Sequence, residues 1–254
     1  MMRSVASNLL FRSFQSISSV APPFSITRNL SQHSSDATKH WTDGRLREFL
    51  EEQSKKLWLK GVSERIRAYN LPDETQAGIV DLIGSHLGGF LEKHRHRITD
   101  ERSSTHLQTA GLVWATHKAL LPFVRNEEEV IELLKGQMGA STSPFLRSML
   151  KATLYLSPDP FKATARRMHS LRSDLGDAVV AEIREEESEA SMTVTSCLYH
   201  SVFEAEGLPH LAGCCCCSVD SMWFEGLERF GISFSAPRRL PHGSDACCLK
   251  ISRS

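Results

Sequence analysis

The sequence predicts an α+β fold, in which a mostly helical N-terminal body precedes a small C-terminal α+β module with a short antiparallel sheet. Apolar residues follow a helical spacing from His40 to about residue 189. From about Ala190 they alternate as in a β-strand, and two more strand patterns follow further along the chain. We therefore divide the chain into a helical region, 40–189, and a cysteine-rich module, 190–254.

The first thirty residues differ in composition from the rest of the chain. They contain arginines at positions 3, 12 and 28 and many serines, and no acidic residue precedes Asp36. This composition suits import along a negative-inside potential and predicts a disordered transit peptide outside the fold, although an ordinary disordered tail is the alternative. The stretch "RNLS" at 28–31 is similar to a plant mitochondrial processing site, with cleavage after Leu30. We predict mitochondrial import, with the chloroplast as the alternative.

The charge balance argues against a polyanionic partner. Acidic and basic residues number 30 each, so binding of nucleic acid would need a local basic stripe. The best such stretch, "EKHRHR" at 92–97, is typical of a solvated helix end. No apolar run approaches the roughly 20 residues that span a bilayer. We therefore expect no nucleic acid and no membrane span, and the oligomeric state stays open.

The helical region is predicted as a series of helices separated by short breaks. The first ends before "NLPDE", where Asp73 caps the second, and Asn126 caps a helix that starts with three glutamates. Ser-Pro pairs at 143–144 and 157–158 open two further helices. We expect the last of these to run past Val179 into the solvated acidic run "EIREEESE".

The module is predicted to contain strands and helices in alternation. "SMTVTSC" has the pattern of a strand, and "LYHSVFEAEGLPHL" that of a helix ending at Gly207. "DSMWFEGLERFG" predicts a helix with Asp220 as its N-cap. "ISFSAPRRL" and "ACCLKIS" predict two short strands joined by the turn "PHGSD".

All seven cysteines lie at or beyond position 197, which indicates a C-terminal site rather than a distributed disulfide scaffold. The four in the run "GCCCC" cannot all bind one tetrahedral ion, because adjacent side chains on a helix diverge by about 100°. A zinc site would have to include distant residues such as Cys197, Cys247 or His200. Neighbouring cysteines also form disulfides poorly.

One cysteine of the run is the best candidate for a reactive thiol. If Asp220 begins a helix, Cys217 lies just before the positive end of its dipole, where a thiolate is favoured. The other cysteines would be small buried hydrophobic residues, and the alternative is that Cys217 is one of these too.

Three stretches of the module together resemble one known family. They are "CLYHSVFEAEGLPHL" from Cys197 to Leu211, "CSVD" from Cys217 to Asp220, and "RLPHGSDACCL" from Arg239 to Leu249. A cysteine opening a helix, a Gly-x-Pro-x-Leu turn, Cys-x-x-Asp and a late Gly-x-x-x-Cys occur in similar order in the L-2-amino-thiazoline-4-carboxylate hydrolase family. Leu249 departs from the family pattern, which usually has an aromatic residue there. The resemblance implies one hydrolase-like domain, with the module packed on the helical region.

The resemblance also implies a chemistry, the hydrolysis of a cyclic isothiourea that carries a carboxylate, towards L-cysteine. In one route the Cys217 thiolate is the nucleophile and Asp220 holds the protonated amidine. His200 or His242 would act as general base. The residues that would bind this small-molecule substrate are Arg238, Arg239 and Gly243.

A second route would use a divalent metal to activate water, and it leaves the cofactor open. Its ligands would be gathered from Cys197, Cys217, Asp220 and Cys247. Two other classes of function remain alternatives. One is a non-catalytic protein of the same fold that binds a metal or transmits a thiol signal, and the other is a helical interaction module whose cysteines only pack.

Overall fold

The computed structural model describes residues 36–141, 144–217, 224 and 226–254. A helical body precedes a four-stranded antiparallel sheet, which confirms the predicted α+β fold. The helices are α1 (Asp36–Ile66), α2 (Asp73–His94), α3 (Glu101–Leu120), α4 (Glu127–Ser141), α5 (Pro144–Leu156), α6 (Pro160–Leu175) and α7 (Leu198–Ala205). The strands are β1 (Val179–Glu185), β2 (Glu189–Cys197), β3 (Ile232–Arg238) and β4 (Cys247–Arg253). Within the described ranges, none of the helices has the length and hydropathy of a membrane span.

The chain divides into two compact units, Met1–Leu50 and Glu51–Ser254. Of the first unit, the structure describes the beginning of α1. The predicted transit peptide and the predicted N-cap Asp220 lie outside the described residues. All features of the sites described below belong to the second unit.

Helix α3 is the central helix of this unit. Its N-terminus is fixed by a capping box, in which the Asp100 carboxylate accepts the Ser103 backbone N–H at 2.6 Å and the Ser103 hydroxyl accepts the Asp100 N–H at 2.9 Å. Helices α2, α4, α6 and α7 all contact α3. Because these contacts bury most of its surface, α3 is the frame that positions His117 near its C-terminal end.

A glycine allows the close approach of α2 and α3. Gly111 is buried in α3, and a Cβ atom there would lie 2.7 Å from Cδ1 of Leu87 and 3.0 Å from Cδ1 of Phe90. Both neighbours are core residues of α2. A larger residue at position 111 would therefore force the Leu87 and Phe90 side chains to shift within a packed core.

We expect Gly111→Ala to lower the free energy of unfolding by about 1–3 kcal/mol, because the added methyl group overpacks this contact. Gly88→Ala on α2 is the matched control, since a Cβ built there meets no described atom within 4 Å apart from its chain neighbours and the local backbone of its own helix. That variant should gain about 0.5–1 kcal/mol from helix propensity. Urea unfolding of both variants measures the difference, and equal stability would contradict the packing argument.

The predicted start of α4 is confirmed. The Asn126 side chain accepts the backbone N–H of Glu129 at 3.0 Å, as an N-cap does. The acidic first turn of α4 follows directly, with Glu127 at its beginning. This cap therefore sets Glu127 beside the C-terminal part of α3.

The sheet has the strand order β1-β2-β4-β3, and all its pairs are antiparallel. The predicted strands β2, β3 and β4 are confirmed. Alternate residues of the two central strands face the core, including Met192 and Val194 of β2 and Leu249 and Ile251 of β4. The helix that precedes Gly207 is confirmed as α7, and Gly207 has the positive φ of a helix C-terminus.

Three predicted helix boundaries were wrong. Asp73 was predicted as the N-cap of α2, whereas it is the first residue of α2 and Pro72 precedes it as the N-cap. The predicted Ser157-Pro158 start of α6 lies two residues too early, because Asp159 is the N-cap and its carboxylate accepts the Lys162 N–H at 3.1 Å.

The third boundary is the end of α6. The prediction carried α6 through Val179 into the acidic run, whereas the structure ends α6 at Leu175 and forms strand β1 at Val179–Glu185. Gly176 takes a positive φ of 56° and so ends the helix, and the β-branched pair Val179 and Val180 favours an extended chain. The charged residues of β1 lie on an edge strand, where charge discourages pairing with other chains.

Candidate functional site

Residues of the family-like motifs meet at one end of the sheet. Cys197 ends β2 and is the N-cap of α7, and Cys247 begins β4 opposite Val194 of β2. Cys217 ends a short π-helical turn, Gly213–Cys217, that packs against α3 and α4. We call the buried thiols of this region the thiol cluster, which consists of Cys197, Cys214, Cys215, Cys217 and Cys247.

Burial controls the protonation of the thiol cluster. It raises the pKa of Cys214 and of Cys247 to about 11, and it raises the pKa of Cys215 well above its usual value. Negative charge on Cys217 raises the pKa of each of these three thiols further. A second thiolate beside a first is therefore disfavoured in this buried cluster.

These pKa shifts predict how stability depends on pH. Unfolded cysteines lose their protons near pH 8.5, whereas Cys214 and Cys247 in the folded protein keep theirs to about pH 11. The folded state binds more protons in this window, so the free energy of unfolding should fall as the pH rises from about 8.5 to 11. Urea unfolding at pH 8 and pH 10 measures the fall, which should be smaller for Cys214→Ala/Cys247→Ala. An identical fall in wild type and double variant would contradict this assignment.

The two adjacent arginines have different surroundings. Arg238 is exposed and pairs through Nη1 with Asp245 Oδ1 at 3.3 Å. Arg239 is half-buried, its Nη1 atom is buried, and its charge acts to lower the pKa of Cys247. Burial remains the larger influence on that thiol, whose Sγ accepts the Leu240 N–H at 3.2 Å. The structure thus places Arg239, rather than Arg238, beside the thiol cluster.

The remaining predicted residues lie around this arginine turn and on α7. Gly243 has a positive φ of 82° and closes the turn Leu240–His242, whose last residue is exposed. His200 is half-buried on α7. It lies three residues after the N-cap Cys197, so the two side chains are on the same side of the first turn of α7. The roles of His200, His242, Gly243 and Asp220 stay predictions. The cysteine ligand set for a metal also stays a prediction.

A second group of side chains with metal-binding chemistry was not predicted. The Nε2 atoms of His117 and His210 lie 2.7 Å and 2.9 Å from the same Glu127 oxygen, Oε1. The three ligand atoms of His117, Glu127 and His210 all lie within 4.8 Å of one another. Among the described residues, this is the one group of side chains whose ligand atoms are close enough together to hold a metal ion. We call this the His-Glu-His cluster. His210 occupies the variable position of the Gly-x-Pro-x-Leu turn, which is the single signal in the sequence that could have drawn attention to it.

The electrostatics of this cluster are those of a carboxylate between two imidazoles. Burial lowers the pKa of His117, which favours its neutral form. Hydrogen bonding to His117, with a further contribution from His210, lowers the pKa of Glu127. Glu127 is therefore ionised at neutral pH and His117 is neutral, the protonation states in which both residues bind metals.

The negative charge of Glu127 acts on the thiol cluster as well as on the two histidines. Its charge is among those that raise the pKa of Cys214, after the effect of burial. The turn Pro209–Leu211, which carries His210, also contacts the turn Gly213–Cys217. The His-Glu-His cluster and the thiol cluster therefore lie close together in the second unit.

Comparison with known proteins agrees with the motifs. No curated protein matches the chain in sequence. A family model described as L-2-amino-thiazoline-4-carboxylic acid hydrolase matches residues 114–251, more than half of the chain. The matched range includes the thiol cluster, the His-Glu-His cluster and all of the sheet except the last two residues of β4, and it confirms the predicted resemblance. The chain belongs to the L-2-amino-thiazoline-4-carboxylic acid hydrolase family.

Proposed function

We propose that the protein hydrolyses a small cyclic compound at a C–N or C–S bond, with L-2-amino-thiazoline-4-carboxylate as the first substrate to test and L-cysteine as the eventual product. The observation that carries the proposal is the meeting of Cys197, Cys217, Cys247 and Arg239 at one end of the sheet. These residues come from three separate sequence motifs of the family. Their convergence supports a shared site for a sulfur-containing, carboxylate-bearing ligand.

In the proposed mechanism Cys217 is the nucleophile. Its thiolate forms a C–S bond with the amidine-like carbon, and the C=N electron pair moves to nitrogen, which takes up a proton. Expulsion of the ring nitrogen or sulfur opens the ring, and one water then hydrolyses the thioester-like adduct and releases the thiolate. Asp220 would hold the protonated amidine before attack, and His200 would transfer the protons.

The surrounding thiols support this assignment of one nucleophile. Cys214 and Cys247 are protonated at neutral pH and can offer S–H groups to a neighbouring thiolate. The Arg239 guanidinium adds positive charge on the side of Cys247. A bidentate pair between Arg239 and the substrate carboxylate would orient the ring for attack.

The test of the proposal is direct. The purified full chain is incubated with L-2-amino-thiazoline-4-carboxylate, and ring-opened products and cysteine are quantified over time. Accumulation that is proportional to protein concentration is expected. Absence of product, with or without added divalent metal, would contradict the proposed substrate.

We also propose mitochondrial import directed by the first thirty residues. The proposal is supported by their arginines, serines and lack of acids. Residues 1–40 fused to a fluorescent protein should enter mitochondria and be cut before Ser31. Replacing arginines 3, 12 and 28 by glutamine should abolish import. Delivery of the unchanged fusion to chloroplasts would contradict the destination.

A further inference from the structure

The His-Glu-His cluster joins three separate parts of the fold. His117 lies near the C-terminus of α3, Glu127 begins α4, and His210 lies in the turn Pro209–Leu211. The contacts through Oε1 of Glu127 hold this turn against the α3–α4 junction. The next turn along the chain, Gly213–Cys217, leads to the proposed nucleophile.

The three side chains have the composition of a transition-metal site. Two imidazole nitrogens and one carboxylate oxygen form a common protein ligand set for Zn²⁺, in which further positions are left to water or substrate. Ligands about 2.0–2.1 Å from an ion lie roughly 3.0–3.4 Å apart. The observed separations of 2.7 and 2.9 Å from Glu127 need to open by a few tenths of an ångström, and the two imidazole nitrogens, which lie within 4.8 Å of each other, need to reach the same range. Rotation of the partly exposed Glu127 and His210 side chains allows both changes.

The three side chains of the cluster differ in solvent exposure, and the difference leaves a solvent-facing side through which an ion can enter. The His117 side chain is 1% exposed, whereas Glu127 and His210 are each 42% exposed. One ligand is thus held rigidly in the core, and the other two face solvent. An ion could enter from the solvent side and keep an open coordination position there.

We propose that His117, Glu127 and His210 bind one divalent transition-metal ion, with Zn²⁺ as the best match to the ligand set. The ion would take the place of the Nε2 protons that otherwise lie against the carboxylate, and each neutral imidazole would then carry its proton on Nδ1. It fastens the turn Pro209–Leu211 to the α3–α4 junction. This site differs from the cysteine ligand set predicted from the sequence, and it does not depend on the proposed substrate.

Metal binding is measured on the full chain with Zn²⁺ alone, by equilibrium dialysis and metal analysis, and with Co²⁺ by visible absorption. We expect one ion per chain and a higher unfolding temperature when Zn²⁺ is present. Glu127→Gln and His210→Asn should each weaken binding at least tenfold. Both positions are partly exposed, so these variants should fold, and circular dichroism checks that they do.

Two control variants keep the test specific. Glu128→Gln removes the same charge from the next residue of α4, and His169→Asn removes a surface histidine that pairs with Glu185 at 3.3 Å. Both should bind the ion as wild type does. Binding that is absent in wild type, or that survives unchanged in Glu127→Gln, overturns the proposal. A sulfur-to-cobalt charge-transfer band that disappears in Cys217→Ser overturns it in favour of the cysteine ligands.

Turnover is recorded separately for metal-free and Zn²⁺-loaded protein. Because binding is read without substrate, an inactive protein that binds one ion through Glu127 still supports the metal site. A protein that turns over substrate but binds no ion in dialysis overturns the metal site and leaves the proposed hydrolase function intact.

Discussion

Cys217→Ala should lower turnover of L-2-amino-thiazoline-4-carboxylate roughly 10³-fold or more, because no other group can take the place of a covalent nucleophile. Cys217→Ser should be almost as inactive, since a hydroxyl group at neutral pH is a far weaker nucleophile than a thiolate. The measurement is steady-state formation of ring-opened product by each purified variant. Mass spectrometry of quenched wild-type protein should also detect the covalent adduct on Cys217.

Cys215→Ala is the matched control for this experiment. It removes the same atoms from the same turn, and Cys215 is a buried thiol whose pKa is raised well above the usual value. It should cost on the order of 1 kcal/mol of stability and leave turnover within a few-fold of wild type. Equal loss of activity in both variants, or none in Cys217→Ala, would show that the cysteine run only packs.

Arg239→Ala should lower kcat/KM for the same substrate about 10–100-fold, mainly through KM, because a charge-assisted pair with the carboxylate is lost. Arg238→Ala, in which the neighbouring exposed arginine loses its pairing with Asp245, should change kcat/KM less than twofold. Arg239→Lys should lie between them, since it keeps the charge and loses the bidentate geometry.

A substrate analogue makes the arginine experiment more specific. The 2-amino-thiazoline ring without its carboxylate should react slowly with wild type and equally slowly with Arg239→Ala. If Arg239 instead acts on the thiols, the variant should lose activity towards both compounds by the same factor. Loss of activity in Arg238→Ala alone would assign the carboxylate to the other arginine.

The parts of the fold that could be predicted from sequence are those governed by local patterns. The Asn126 cap, the strand pattern that ends at Cys197 and the helix stop at Gly207 each depend on a few neighbouring residues. Strand β1 could not be predicted in this way, because its acidic residues are also good helix formers. Pairing with β2 decided its conformation, and that pairing is a tertiary interaction.

The same distinction applies to the two groups of functional residues. The cysteine motifs are short and ordered along the chain, so the region of the thiol cluster was apparent before the structure. His117 and Glu127 lie 10 residues apart on different helices, and His210 lies 83 residues beyond Glu127. Within its own helix His117 looks like an ordinary residue of an apolar segment, so only packing shows what it faces.

The strand order has a consequence for how the protein matures. Strand β4 lies between β2 and β3, so β3 and the following Arg239 turn reach the rest of the sheet only through it. A nascent chain that has delivered residues up to 246 therefore holds Cys197 and Cys217 before Cys247 and β4 have joined them. Protection of those thiols and competence for catalysis should appear together in a single late step, when β4 inserts. This protein would then be most vulnerable to oxidation before its folding is complete, and least vulnerable afterwards.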